Sequence, residues 1–332
     1  MIGVGERAPE AHAPSRRARR RRLTIGLLNN MPDSALCATE RQFGDLLRAA
    51  AGDADIDLRL FALAGLERGE RARALMAGRY APADAMTEAG LDGLIVTGNE
   101  PRAAGLDAEP YWAALTAVID WTQHAGVATL WSCLAAHAAV LHLDGVRRRP
   151  LPAKLSGVFT SEIVGDDALL ADVSKPLVTP HSRQNGLSRA DLARRGYRIL
   201  THSTEAGVDA FTRVGQARAL FLQGHPEYDS DTLMREYARD VGRFLRGERP
   251  VHPVTPSGYF DAATEAALAE LAETSRRAPH PDRLARYAEA LAAALPTRTW
   301  LPSAMLLYRG WLGEIAAAAV PEQRSGTVRL VS

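Results

Sequence analysis

Only two cysteines, Cys37 and Cys133, occur in 332 residues, which excludes a disulfide framework for a chain of this size. Cysteine and histidine show no close ligand spacing either, so no metal site is expected. No stretch approaches the roughly 18 consecutive apolar residues of a membrane-spanning helix. Nor does an apolar region of roughly 7–15 residues follow the basic start, as a secretory signal requires. Net charge is close to zero, with 40 Lys and Arg against 39 Asp and Glu, so no overall field favours nucleic acid or an anionic membrane. No internal repeat is visible. These absences point to a soluble, cytoplasmic protein that handles small molecules rather than nucleic acid or membrane.

What is present has an ordinary globular balance, 46% hydrophobic and 24% charged, in a length that suits one large α/β domain, or a domain plus a smaller appendage. Charge is uneven only over residues 1–22. There Arg16, Arg17, Arg19, Arg20, Arg21 and Arg22 lie in a Pro/Ala-rich leader without apolar periodicity. A solvated, disordered arm is expected, because a folded nucleic-acid surface spreads its basic residues over a face.

Short apolar runs read as buried strands at Thr24–Asn29, Ile56–Leu63, Gly93–Thr97, Val127–Ser132 and Ala219–Gln223, with weaker ones near Val158 and Ile199. Helical spacing lies between them. Phe43, Leu46 and Leu47 form one stripe in Thr39–Ala50, and Trp112, Leu115, Val118 and Ile119 another in Tyr111–His124. Strands alternating with helices imply an α/β fold with a mostly parallel sheet flanked by helices. Such sheets place their chemistry beyond the carboxyl ends of the strands. That domain is expected over residues 23–248. Residues 249–332 read as a Pro-rich linker, Arg249–Pro256, and a C-terminal helical extension with helices at Asp261–Arg276, Pro281–Leu295 and Pro302 to about Ala319. Their apolar stripes would pack on the main domain or on a second subunit, as in a homodimer. The tail from about Glu322 is expected to be loose.

Cys133 closes the strand Val127–Ser132 and is followed at once by the helix-forming run Leu-Ala-Ala-His-Ala-Ala-Val-Leu. A nucleophile on a tight strand-to-helix turn projects its side chain upward while the next backbone N–H faces the same space. The helix N-terminus favours thiolate over thiol. A buried structural cysteine is the alternative reading of this position taken alone. A second strand, however, runs into Gly224-His225-Pro226-Glu227-Tyr228-Asp229, with the helix Asp229–Leu245 after it. Pro226 stops the ladder, so His225 and Glu227 turn toward one cleft at the level of Cys133. A carboxylate beside an imidazole fixes its tautomer and stabilises the imidazolium, as a general base needs.

A cysteine at an elbow followed by Gly-His-Pro-Glu-Tyr-Asp resembles the homoserine O-succinyltransferase family, built on a class I glutamine amidotransferase-like fold. The other landmarks are Leu27-Leu-Asn-Asn-Met-Pro32, Asp92-Gly-Leu-Ile-Val-Thr-Gly98, Tyr111-Trp112, Lys154-Leu-Ser-Gly-Val-Phe159, Pro180-His-Ser-Arg183 and Leu306–Leu312. Each is weak alone; their order is specific. The resemblance implies a Cys133 thioester, His225 as proton acceptor and Glu227 as its partner. It further implies substrate contacts at Lys154, Ser182 and Arg239, the last suited to an amino-acid carboxylate through its guanidinium fork. The implied reaction is ping-pong transfer of an acyl group from acyl-CoA, a co-substrate, to the homoserine hydroxyl in methionine biosynthesis, with no bound cofactor. The oxyanion would meet the backbone N–H groups of Leu134 and Asn99.

The chain departs from the family pattern in places. The turn after Thr97-Gly98 reads Asn99-Glu100-Pro101 where Ala-Pro is usual, and Arg102 stands at a position associated with choice of acyl donor. His137 replaces the usual Gln in the elbow helix, and the helical segment after the Pro-rich stretch is longer. A cation at Arg102 favours an acyl group ending in a carboxylate, hence succinyl-CoA over acetyl-CoA. Serine as acceptor, a glutaminase of the same fold and a non-catalytic binding protein are the alternatives. Trp131 and Ala135 occupy places where a glutaminase elbow carries glycine.

Overall fold

The computed structural model describes residues 21–215 and 218–318. Residues 1–20 of the leader and the tail from Glu322 lie outside them. Twelve strands are found among the described residues. They are β1 (Arg22–Leu28), β2 (Asp55–Ala62), β3 (Tyr80–Pro82), β4 (Gly93–Val96), β5 (Ala128–Ser132), β6 (Arg149–Ile163), β7 (Leu177–Gly186), β8 (Arg198–Ile199), β9 (Thr201–Ser203), β10 (Gly207–Val208), β11 (Ala210–Val214) and β12 (Arg218–Leu222). The helices are α1 (Leu36–Ala50), α2 (Glu70–Met76), α3 (Trp112–Ala125), α4 (Leu134–Asp144), α5 (Arg189–Arg194), α6 (Thr232–Leu245), α7 (Ala262–Arg277), α8 (Leu284–Ala293) and α9 (Leu301–Ala318).

Eight strands form the main sheet in the order β3-β2-β1-β4-β5-β12-β11-β8. The pairs from β3 to β12 are parallel, and β11 is antiparallel to both β12 and β8. This is the mostly parallel α/β sheet expected. A second, antiparallel sheet of four strands in the order β10-β9-β6-β7 stands beside it.

The central strands are apolar throughout because both faces of the sheet are covered. Side-chain alternation sorts them: Leu94, Val96, Trp131 and Phe221 enter one core, and Ile95, Leu130, Leu220 and Leu222 enter the other. The first core is closed by α3 and α4, the second by α1 and α9, whose Tyr308, Trp311, Leu312 and Ile315 are buried with Leu23, Ile25 and Leu27 of β1. The chain after Gly247 therefore supplies part of the main core. Helices α7 and α8 build a separate cluster with α6, in which Tyr237, Val241, Leu268 and Tyr287 are buried.

The β6–β7 pair has a weak pattern in sequence near Val158 and none over β7, since Pro150, Pro152 and Pro180 interrupt it. Its ladder carries a register irregularity between Pro150 and Leu155. Its function in the fold is to bring Lys154 and Ser182 over α6. Among the described residues no helix is long and apolar enough to cross a membrane.

Candidate active site

Strands β5 and β12 are paired in parallel, with Ser132 opposite Leu222. Their carboxyl ends therefore release Cys133 and the Gly224–Asp229 loop at the same level. The Cys133 N–H still donates to Leu222 O at 2.7 Å, and Cys133 O accepts from His137 N at 3.2 Å. Between these anchors Cys133 adopts φ 50° and ψ −109°, and is the one non-glycine residue with positive φ among the described residues. Such backbone costs about 1–3 kcal/mol and persists where the surroundings over-determine it. Here it lifts a half-buried sulfur to the mouth of the sheet and leaves the Leu134 N–H, at the first turn of α4, without a helical acceptor.

The Thr97–Asn99 turn at the end of β4 presses on this elbow. A Cβ on Gly98 would lie 2.6 Å from Leu134 Cβ and 3.0 Å from Leu134 N, so only glycine admits the contact. Asn30 braces the turn, its N–H donating to Thr97 Oγ1 at 2.8 Å and its Nδ2 to Thr97 O at 3.0 Å. The N–H groups of Leu134 and Asn99 are thereby carried by two backbones in van der Waals contact.

His225 is buried and its Nδ1 lies 2.8 Å from Glu227 Oε1. Cys133 lies within electrostatic reach of the same imidazole; with Nδ1 held by Glu227, Nε2 is the nitrogen left free. Burial alone would pull the imidazolium pKa down, but the charges of Cys133 and Glu227 outweigh it and hold that pKa well above its usual value. The Tyr228 ring stacks on the imidazole, centroids 4.3 Å apart at 15°. The loop is pinned from outside as well: His225 N donates to Pro180 O, Arg298 Nη2 to Glu227 O and Trp300 Nε1 to Tyr228 O.

Lys154 of β6 and Ser182 of β7 both reach α6. Lys154 Nζ sits 2.9 Å from Asp240 Oδ2 and 3.7 Å from Glu236 Oε2, and Ser182 Oγ donates to Glu236. Glu236 also accepts from Tyr228 Oη at 2.8 Å, which ties this cluster to the ring on His225. Arg239, on the same helix, is half exposed with its guanidinium 3.4 Å from Asp240. The structure thus gathers Cys133, His225, Glu227, Leu134 and Asn99 at one point, with Lys154, Ser182 and Arg239 on an adjoining α6 face. Arg102 is exposed, its side chain paired with Glu67 at 3.4 Å and its N–H donating to Glu109 Oε1 at 2.8 Å.

Several residues of this neighbourhood carry no motif of their own. Glu236 and Asp240 carry no local sequence signature, yet Asp240 is buried. Arg298 and Trp300 lie more than seventy positions beyond the loop they hold. Behind the site His137 Nε2 meets Gln223 Oε1 at 2.9 Å, and burial pushes its pKa down to about 4, so the neutral ring donates to the strand that leads to His225. His181 Nε2 lies 3.4 Å from Asp209, whose carboxylate accepts from Gly224 N. Among the described residues no group of three or more metal-ligating side chains occurs.

A family model described as homoserine O-succinyltransferase matches residues 9–321. The chain belongs to the homoserine O-succinyltransferase family. Proteins described as homoserine O-succinyltransferase from Rhodopseudomonas palustris and Methylorubrum extorquens are 49% and 48% identical to it, over 306 and 297 residues. Those alignments cover 92% and 89% of this chain, and 92% and 88% of the relatives. Membership in this family makes the chain an acyltransferase. Among solved structures, a glutamine amidotransferase from Methylobacillus flagellatus is 16% identical with a TM-score of 0.48, covering 89% of this chain and 95% of that one.

Proposed function

We propose that the chain transfers a succinyl group from succinyl-CoA to the hydroxyl of homoserine, in methionine biosynthesis, through a thioester on Cys133. The observation that carries this reading is the strained Cys133 elbow linked to Glu227 through His225, in a chain of this family. In the first half-reaction the Cys133 thiolate attacks the thioester carbonyl. The tetrahedral oxyanion turns toward the N–H groups of Leu134 and Asn99. Collapse expels the coenzyme A thiolate, which takes the proton from the His225 imidazolium, and the acyl group rests on sulfur. In the second half-reaction the acceptor hydroxyl gives its proton to His225 Nε2 as its oxygen attacks, and the Cys133 thiolate leaves. Glu227 holds the ring and its charge through both steps.

The α6 face suits a zwitterionic acceptor. Glu236 offers a carboxylate to an ammonium, and the Arg239 fork offers paired donors to a carboxylate. The deciding experiment is intact mass. Incubation with succinyl-CoA alone should add one succinyl group to the wild type and none to Cys133→Ala, and homoserine should remove it. A protein left unmodified, or modified equally in Cys133→Ala, would defeat the reading.

A further inference from the structure

Arg148 is the cation nearest in kind to what a dicarboxylic acyl donor requires. The elbow helix α4 ends at Gly145, φ 67°, with Gly145 N donating to Leu141 O and Val146 N to Val140 O. This glycine-capped stop, sealed by buried Val146, turns the chain back so that Arg148 lies three residues beyond the Gly145 cap. The Arg148 side chain is half-buried and has no ion pair or hydrogen bond among the described residues, whereas neighbouring Arg147 pairs with Asp107 at 3.6 Å. Burial lowers its pKa, and Tyr111, Glu109, Cys133 and His137 lie within electrostatic reach of it.

Tyr111 supplies the second observation. It is 5% exposed, and its hydroxyl is buried without a partner among the described residues. An orphaned hydroxyl of this kind calls for an explanation. Tyr111 lines a small cleft shared with Gly98, Asn99 and Leu134 at the oxyanion position, whose walls are otherwise apolar through Leu106, Trp112 and Ala138. Glu109, beside it, accepts the N–H groups of Arg102 and Ala103 on Oε1, each at 2.8 Å, and its Oε2 is buried without a partner among the described residues. The cleft starts at the oxyanion donors and is narrow, about 10 Å³, with a buried hydroxyl on its wall and an unpaired guanidinium in electrostatic reach of that hydroxyl, so an acyl chain ending in an anion must widen it to reach both.

We propose that Arg148 and the Tyr111 hydroxyl receive the free carboxylate of the acyl group, and so select succinyl over acetyl donors. This rests on the function proposed above. Arg102, 69% exposed and paired with a Glu67 that is 88% exposed, is too solvated to supply that selection alone.

The test is the acylation half-reaction, followed as release of coenzyme A thiol in single turnover with succinyl-CoA or acetyl-CoA and no acceptor. Wild type, Arg148→Gln, Arg148→Lys, Tyr111→Phe and Arg102→Gln are compared, with circular dichroism for folding. Arg148→Gln should slow succinylation at limiting donor roughly tenfold to a hundredfold, the scale of one charge-assisted hydrogen bond, and leave acetylation within about twofold. Arg148→Lys should recover part of the loss, Tyr111→Phe should shift the donor ratio severalfold in the same direction, and Arg102→Gln should move it little. Equal losses with both donors would overturn the proposal, placing Arg148 on the coenzyme moiety or on Glu109. An unmoved ratio in the folded variants would also overturn it. A wild type acylated by neither donor would instead defeat the proposed function, and this inference with it.

Discussion

Arg298 donates a hydrogen bond of 2.8 Å to the main-chain carbonyl of Glu227, 71 residues away in sequence. The bond holds the backbone of the Gly224–Asp229 loop from a residue just ahead of the helix α9 that is embedded in the core. Arg298→Ala should therefore reduce transfer about tenfold through kcat, with little change in either KM. It should lower stability by about 1–3 kcal/mol, the range for a hydrogen bond to a charged group. Steady-state kinetics with a thermal melt check this, and an unchanged kcat in a destabilised protein would confine Arg298 to the fold.

Gly98 lets two backbones touch, and its replacement should separate them. In Gly98→Ala the new methyl meets Leu134 Cβ at 2.6 Å, so the Asn99 turn must retreat from the elbow. Loss of one oxyanion donor is worth about 10²–10³ in rate, and the expected result is a fall of that order in the acylation rate with the fold retained. Wild-type acylation in Gly98→Ala would remove Asn99 from the oxyanion site.

The titration of His225 gives a third check. Its folded pKa is raised well above the usual 6.5 by Cys133 and Glu227. By linkage, the associated stability is fully present below about pH 6.5 and is lost as pH rises through the raised value. In Cys133→Ser the thiolate charge is gone, so the His225 midpoint should fall and that loss of stability should begin at lower pH. Nuclear magnetic resonance of the imidazole protons, with denaturant melts across pH, measures both. An identical midpoint in wild type and Cys133→Ser would separate the two side chains electrostatically.

Arg239 is proposed to hold the acceptor's carboxylate, and its half-exposed guanidinium leaves room for a ligand. Arg239→Lys should raise the homoserine KM about tenfold, because an ammonium cannot form the bidentate fork. Acylation of Cys133 without acceptor should be unaffected. An unchanged acceptor KM with slowed acylation would move Arg239 to the donor side.

Much of the frame was legible in the chain itself. Parallel strands buried on both faces are written as continuous apolar runs, so β1, β4, β5 and β12 stand out without any partner being known. Cys133 before a helix-forming run and His225-Pro226-Glu227 after a strand are local patterns, because an elbow and a broken ladder are each made by a few consecutive residues. What sequence could not supply is every relation between distant segments. Glu236, Asp240, Arg298 and Trp300 have no local signature, since their roles come from β6, β7 and the lead-in to α9 folding back over α6 and the catalytic loop. Arg148 illustrates the difference most directly. In sequence it is one of three consecutive arginines, Arg147, Arg148 and Arg149. In the fold Arg147 and Arg149 pair with Asp107 and Asp191, leaving Arg148 half-buried within electrostatic reach of Cys133. Burial and ion pairing are properties of the packed chain, and only the tertiary structure could tell the three apart.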